Sequence, residues 1–175
     1  MVKIAKKQQI TIGLDLDDTI VDHDKNRRVI SLKLKLPGTD PQVKKIIYAE
    51  ISVNSPAIKN SLEIINNWLN RGIKIYIVSR RKEDGHKPGR QWLKKYLPQI
   101  KPANIIFAQK DEDKSLWCLK KKIDIFIDDS PEVLDNIGDK TKKIIFDRKK
   151  IYSQKKFVAA RSWKAIDKIV AKQIL

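Results

Sequence analysis

Ile10–Leu16 (ITIGLDL), continued by Asp17, Asp18 and Thr19, decides the fold. An apolar run this short that breaks into carboxylates predicts a buried strand with a polar end. Four further runs have the same character: Ile73–Val78 (IKIYIV), Asn104–Ala108 (NIIFA), Ile123–Ile127 (IDIFI) and Lys143–Phe146 (KIIF). Helical patterns separate them. Pro56–Leu69 sets Ile58, Leu62, Ile65 and Leu69 at helical spacing, with Ser55 as a candidate N-cap. Pro88–Leu97 turns Trp92, Leu93, Tyr96 and Leu97 inward, and Lys114–Lys121, Pro131–Ile137 and Ser162–Val170 complete the set. Short, almost wholly apolar strands alternating with helices predict an α/β three-layer sandwich around a five-stranded, mostly parallel sheet. Trp68, Trp92 and Trp163 fall on apolar helix faces and read as core, as does Trp117 beside Leu116 and Leu119.

Residues 22–54 break this alternation. They carry a weak strand-like pattern at Val29, Ile30, Leu32, Leu34 and Leu36, then Pro37 and Gly38, then a helix-like stretch around Val43–Tyr48. About 30 residues is too long for a plain loop in a compact domain, so the segment reads as a small cap or flap inserted after the first strand of one domain, 1–175.

The chain has 175 residues, 41% of them hydrophobic, which suffices for a globular core and argues against wholesale disorder. No apolar run approaches the roughly 20 residues that span a bilayer, and Met1–Gln9 is basic without an apolar leader, so a cytoplasmic protein is expected. Cys118 is the single cysteine and excludes an internal disulfide or a cysteine-cluster metal site. Lys and Arg number 38 against 21 acids, a net charge of +17. That charge attracts anionic partners such as nucleotides and nucleic acid, although a solvated basic surface is the preferred account of it.

In an open parallel sheet, ligands bind beyond the carboxyl ends of the strands. The predicted strands end in Asp15 and Asp17, in Ser79, Arg80 and Arg81, in Gln109 and Lys110 with Lys114 beyond, in Asp128 and Asp129, and in Asp147 and Arg148. Four carboxylates gathered on one edge repel one another unless a cation lies between them. All-oxygen ligands favour a hard divalent ion such as Mg²⁺, bound together with a substrate phosphate. Residues two apart on a strand share a face, so Asp15 and Asp17 can serve one space, one as nucleophile and the other as proton shuttle. A lysine offsets phosphoryl charge there, and Ser79 can donate to a phosphoryl oxygen.

Gly13–Thr19 resembles the first motif of the haloacid dehalogenase (HAD) superfamily, Asp-x-Asp-x-Thr after an apolar strand. Tyr76–Ser79 resembles its second motif, Lys114 or else Lys110 its third-motif lysine, and Phe126–Asp129 its fourth. The resemblance implies an Mg²⁺-dependent phosphatase working through an aspartyl-phosphate. Asp15 is then the nucleophile and Asp17 the acid and base, while Ser79 and Lys114 hold the phosphoryl group. The metal is held by Asp15, the main-chain carbonyl of Asp17 and Asp128, with Asp129 in support. Thr19, Arg80, Arg81 and Lys87 become candidate substrate contacts. Trp92–Tyr96, Asp113–Ser115 and Trp163 are further similar to the 5′(3′)-deoxyribonucleotidase branch, which points to a nucleotide substrate.

A receiver domain is excluded because Asn104–Lys110 offers no acceptor Asp, and a P-loop enzyme because the Gly-x₄-Gly-Lys motif is missing. His23 and His86 are too few for a histidine metal site and read as surface loop residues. The basic run Arg80, Arg81, Lys82, His86, Lys87 and Arg90 leaves open a phosphatase acting on nucleic-acid ends, or a non-catalytic module that binds nucleic acid.

Overall fold

All five apolar runs form strands in a computed structural model, which describes residues 9–152 and 156–174. They are β1 (Thr11–Leu14), β2 (Lys74–Arg80), β3 (Ile105–Ala108), β4 (Ile125–Asp128) and β5 (Lys142–Phe146). A further strand, β6 (Val158–Ala160), pairs with β5. Among the described residues the sheet therefore has six strands rather than five, in the order β3-β2-β1-β4-β5-β6, and every pair is parallel. Three residues, two of them Ala, carry no readable alternation, which is why β6 escapes the sequence pattern. The basic start of the chain, up to Gln8, lies outside the described residues.

The helices are α1 (Asp24–Leu34), α2 (Pro41–Lys45), α3 (Ser61–Asn70), α4 (His86–Tyr96), α5 (Asp111–Lys120), α6 (Pro131–Asn136) and α7 (Trp163–Ile174). Alternation along the strands sorts two cores. Ile12, Leu14, Ile75, Ile77, Ile125, Ile127 and Ile144 meet the fully buried Trp68, Trp92 and Trp163 of α3, α4 and α7. On the opposite face Tyr76, Val78, Phe126 and Ile145 meet Cys118 of α5 and Val133 and Leu134 of α6, with Trp117 partly buried against them. Burying each large aliphatic side chain contributes about 1.5–3 kcal/mol, so both faces of the sheet are anchored. Gly13 is required by close packing, because a Cβ there would lie 2.5 Å from the ring of Phe126, two residues before Asp128.

The segment read as a flap contains no strand and is helical apart from its entry and the turn at 35–40. Its strand-like half is α1, closed by Lys35 in the left-handed region (φ 55°), and α2 runs on into a π-helix (Ile46–Ile51) and a 3₁₀ turn (Ser52–Asn54). No residue of α1 is buried and Val29 and Leu32 are exposed, so the apolar positions never mark a stripe that would announce a helix. The next helix starts at Ser61 rather than Pro56. Pro56 and Ala57 are drawn instead into main-chain pairing with Asp22 and Val21. Among the described residues no helix is long and apolar enough to cross a membrane.

From β1 the chain moves to β2 and β3 on one side, then returns to β4 on the other. This reversal opens a crevice beyond the carboxyl ends of β1 and β4.

Candidate active site

Leu14 ends β1, and the amide of Asp15 donates to the Ile127 carbonyl at 3.0 Å, which sets Asp15 beside the end of β4. The chain then turns through Asp18 (φ 61°), a conformation Asp tolerates, with the amides of Ile20 and Val21 returning to the Leu16 carbonyl. The strand thus stops two residues short of the predicted Leu16. Asp15 and Asp17 both line the crevice but face different partners.

Around Asp15, Lys114 is buried and donates to Asp15 at 2.7 Å and to Asp128 at 2.8 Å. The helix carrying it begins at Asp111, and Lys110 is its exposed N-cap, whose amide donates to Asp113. Lys114 lines the crevice and Lys110 does not. Carboxylate oxygens of Asp15, Asp128 and Asp129 lie within 4.8 Å of one another. Burial pushes Asp15 up to about 7, against the pull of Lys114 and with Asp128 and Asp17 adding to the rise. Burial, then the charges of Asp128, Asp15 and Asp18, push Asp129 well above the usual carboxylate range. One ammonium among three carboxylates, Asp15 and Asp128 buried and Asp129 half-buried, leaves negative charge uncompensated, and the donors are all oxygen. That set fits a hard divalent cation. The carboxylate of Asp17 lies outside this cluster, and only its main-chain carbonyl is expected to serve a metal.

Around Asp17 the surroundings are cationic. Arg81 forks onto it, Nε to Oδ2 at 2.8 Å and Nη2 to Oδ1 at 2.5 Å, and His23 Nε2 lies 2.7 Å from Oδ1. Burial opposes ionisation, yet Arg81 and His23 outweigh it and hold the Asp17 carboxyl well below its ordinary range. Ser79 is buried behind it and donates to Oδ2 at 3.4 Å. Thr19 is also buried. Its hydroxyl donates to Asp129 at 3.4 Å and its carbonyl accepts from Trp163 Nε1 at 2.9 Å, so it braces the acidic cluster from behind.

Two expectations are corrected. Arg81, a candidate substrate contact within the basic run, is 2% exposed and turned inward onto Asp17. His23 was read as a surface residue; it is fully buried. Both side chains are turned inward onto the Asp17 carboxylate, which no local pattern announces. Arg80 remains exposed at the cavity wall, paired with Asp111 at 2.8 Å, whereas Lys87 is exposed on the first turn of α4 and does not line the cavity. His86 is half-buried, stacked on Phe107, with Nε2 2.8 Å from the Arg81 carbonyl.

The crevice has a volume of about 620 Å³. Asp15, Asp17, Lys114, Asp128 and Asp129 form its floor, and Arg27, Lys44 and Tyr48 of the helical insertion face them. Arg27 forks onto Asp18, and Arg148 pairs with Asp22 (2.6 Å) and Asp24 (2.8 Å). The insertion is thereby pinned to the sheet on both sides of the opening.

Comparisons agree with this layout. A HAD-superfamily hydrolase from Ehrlichia chaffeensis superposes with a TM-score of 0.63 at 13% identity, over 98% of this chain and all of that one (100%). A magnesium-bound HAD-hydrolase from Bacillus subtilis gives 0.61 at 16% identity, over 94% of this chain and 100% of that one. A class C acid phosphatase from Bacillus anthracis gives 0.56 at 21% identity over 71% of this chain, which spans only 54% of its length. These likenesses define an α/β fold of the HAD type. Residues 39–174 match the family described as 5′ nucleotidase, deoxy (Pyrimidine), cytosolic type C protein. A 5′(3′)-deoxyribonucleotidase of Clostridium acetobutylicum is 31% identical, over 87% of this chain and 90% of its own length. The chain belongs to this nucleotidase family, and with it to the phosphoric monoester hydrolases of the HAD superfamily.

Proposed function

We propose that the protein is an Mg²⁺-dependent, cytoplasmic 5′(3′)-nucleotidase that hydrolyses deoxyribonucleoside monophosphates through a phosphoryl-Asp15 intermediate. The observation that carries the reading is Asp15 itself, a buried carboxylate at the end of β1 that shares Lys114 with Asp128 inside the crevice. In the first step an Asp15 oxygen attacks phosphorus and the ester P–O bond breaks. Asp17 gives its proton to the departing alkoxide. In the second step Asp17 takes a proton from water, which attacks phosphorus and frees Asp15 and inorganic phosphate. Asp17 rests ionised, the state the second step needs. An anionic phosphoryl group arriving beside it favours its proton for the first.

Asp15, Asp128 and the Asp17 carbonyl would hold Mg²⁺, with Asp129 in support, and the ion would neutralise phosphoryl charge beside the nucleophile. Lys114 neutralises charge on the same group. The helical insertion acts as the cap, and Lys44 and Tyr48 offer it polar and aromatic contacts to the rest of the nucleotide.

Mononucleotides are favoured over nucleic-acid ends because the basic run has lost Arg81 to the interior. The other arginines at the cavity, Arg27, Arg80 and Arg148, are already paired with acids. Phosphate release from 5′- and 3′-deoxyribonucleotides, ribonucleotides and a 5′-phosphorylated oligonucleotide tests the reading. Preference for deoxyribonucleotides supports it. Preference for the oligonucleotide, with steep loss in salt, overturns it.

A further inference from the structure

Asp17 is held more completely than any other acid in the crevice, and its holders reach beyond it. Arg81 Nη1 continues to Ser52 Oγ (3.1 Å), the Gly85 carbonyl (3.2 Å) and the Tyr48 carbonyl (3.4 Å). One guanidinium therefore joins the acid at the first turn after β1 to the helical insertion and to the entry of α4. Room for it is built in. A Cβ on Gly89 would lie 2.9 Å from Arg81 Nη1, and one on Gly85 would touch the Arg81 stem at 3.4 Å. The ring of Tyr48 lies under the guanidinium at 5.5 Å and edge-on to His23 at 5.4 Å.

His23 is fixed in turn. Its Nδ1 lies 3.1 Å from Ser55 Oγ, which also accepts from Asn26 Nδ2 at 3.0 Å. An ionised carboxylate only accepts, so the ring presents Nε2–H to Asp17, while the Ser55 hydroxyl, which keeps a proton and a second lone pair, anchors Nδ1.

We infer that Arg81 and His23 are the positioning residues of Asp17: they aim its carboxyl at the leaving-group oxygen and couple it to the cap, and so set how well esters of weakly acidic alcohols are cleaved. The inference rests on the phosphomonoesterase reading above. A carboxyl that must hand a proton to an alkoxide has to be held within hydrogen-bond reach of it, and a shift of an ångström costs on the order of 10²-fold. A leaving group that departs as a stable anion needs no such proton. Loss of aim therefore shows as a change in leaving-group preference, whereas general damage to the site lowers all substrates alike.

The test compares kcat/KM for thymidine 5′-monophosphate and 4-nitrophenyl phosphate in the wild type, Arg81→Ala, Arg81→Lys, His23→Leu and His23→Gln. This parameter covers the steps through transfer to Asp15 and is blind to the common second step. For Arg81→Ala and His23→Leu the nucleotide value is expected to fall about 100-fold and the aryl ester's far less, so that their ratio moves at least tenfold. His23→Gln keeps an N–H near the Nε2 position and is expected to restore most of the ratio. Arg81→Lys keeps the charge without the fork and is expected to restore only part of it. Equal losses on both esters in all variants would overturn the inference, as would an unchanged nucleotide value. Should melting curves show Arg81→Ala unfolded, the two His23 variants, which nearly conserve buried volume, decide alone. A wild type inactive on both esters would refute the phosphomonoesterase reading instead.

Discussion

Asp15 and Asp17 stand two residues apart, yet the halves of the crevice they belong to are built on opposite terms. Asp15 sits between β1, β4 and α5, where the one lysine beside three carboxylates bonds two of them and burial pushes Asp15 up to about 7. Asp17 sits between β2 and the helical insertion, where an arginine and a histidine serve one carboxylate and hold it well below the ordinary range. The first half is short of positive charge and suited to a cation and a phosphoryl group. The second is already satisfied and suited to holding a proton carrier in place. In the mechanism proposed above, environment and not residue type divides the two roles.

The comparison is broken most severely by Asp15→Asn. An amide is a poor nucleophile, and phosphate release should fall by on the order of 10⁴-fold or more, with folding retained in melting curves. Nearly normal release would remove the distinction between the halves.

Next in size is metal binding. Mg²⁺ at about 100 times its Kd should stabilise the wild type by about 2.7 kcal/mol, a rise in Tm of roughly 5–10 °C. Asp128→Asn should cancel the rise, and Arg81→Lys should leave it in place. A rise lost in Arg81→Lys but kept in Asp128→Asn would put the cation in the wrong half.

Gly13→Ala is expected to cost about 1–3 kcal/mol, because its methyl group meets the Phe126 ring. The strain falls next to Asp128, so calorimetry should show weaker Mg²⁺ binding than in the wild type. Unchanged stability would mean that β1 and β4 are not held as closely as the packing shows.

The smallest effect is at Cys118, one turn beyond Lys114 on α5. Burial pushes its thiol up to about 12. At pH 8 the thiolate fraction is then on the order of 10⁻⁴, so a disulfide reagent should leave the native protein untouched and label it fully in denaturant. Rapid labelling of the native protein would show α5 opening, and with it the Asp15 half.

The same division governs what could be read from sequence. Asp15, Lys114, Asp128 and Asp129 were legible because each follows an apolar strand or opens the next helix, and a parallel sheet gathers strand ends on one edge. The sheet was legible for the same reason, except for β6, too short to show a period. The Asp17 half was hidden. Arg81 sits in a basic run and His23 between two aspartates, contexts that ordinarily face water. Only the tertiary return of β2 to Asp17, and of the chain through Val21 and Ala57, turns both inward. Ser55 shows the same effect: its place before an apolar helical pattern suggested a cap, whereas its hydroxyl is used on His23 and its carbonyl on Trp92 at 2.8 Å. The helix α1 was hidden for a simpler reason, having no buried face to mark its period.

The proposed function rests on Asp15 as nucleophile beside a bound divalent cation. Its most direct test is phosphate release from thymidine 5′-monophosphate by the wild type and Asp15→Asn, each with Mg²⁺ and with chelator. The account predicts release by the wild type in Mg²⁺ alone, with the other three at background. Sustained release by Asp15→Asn, or release by the wild type that chelator does not touch, would contradict it.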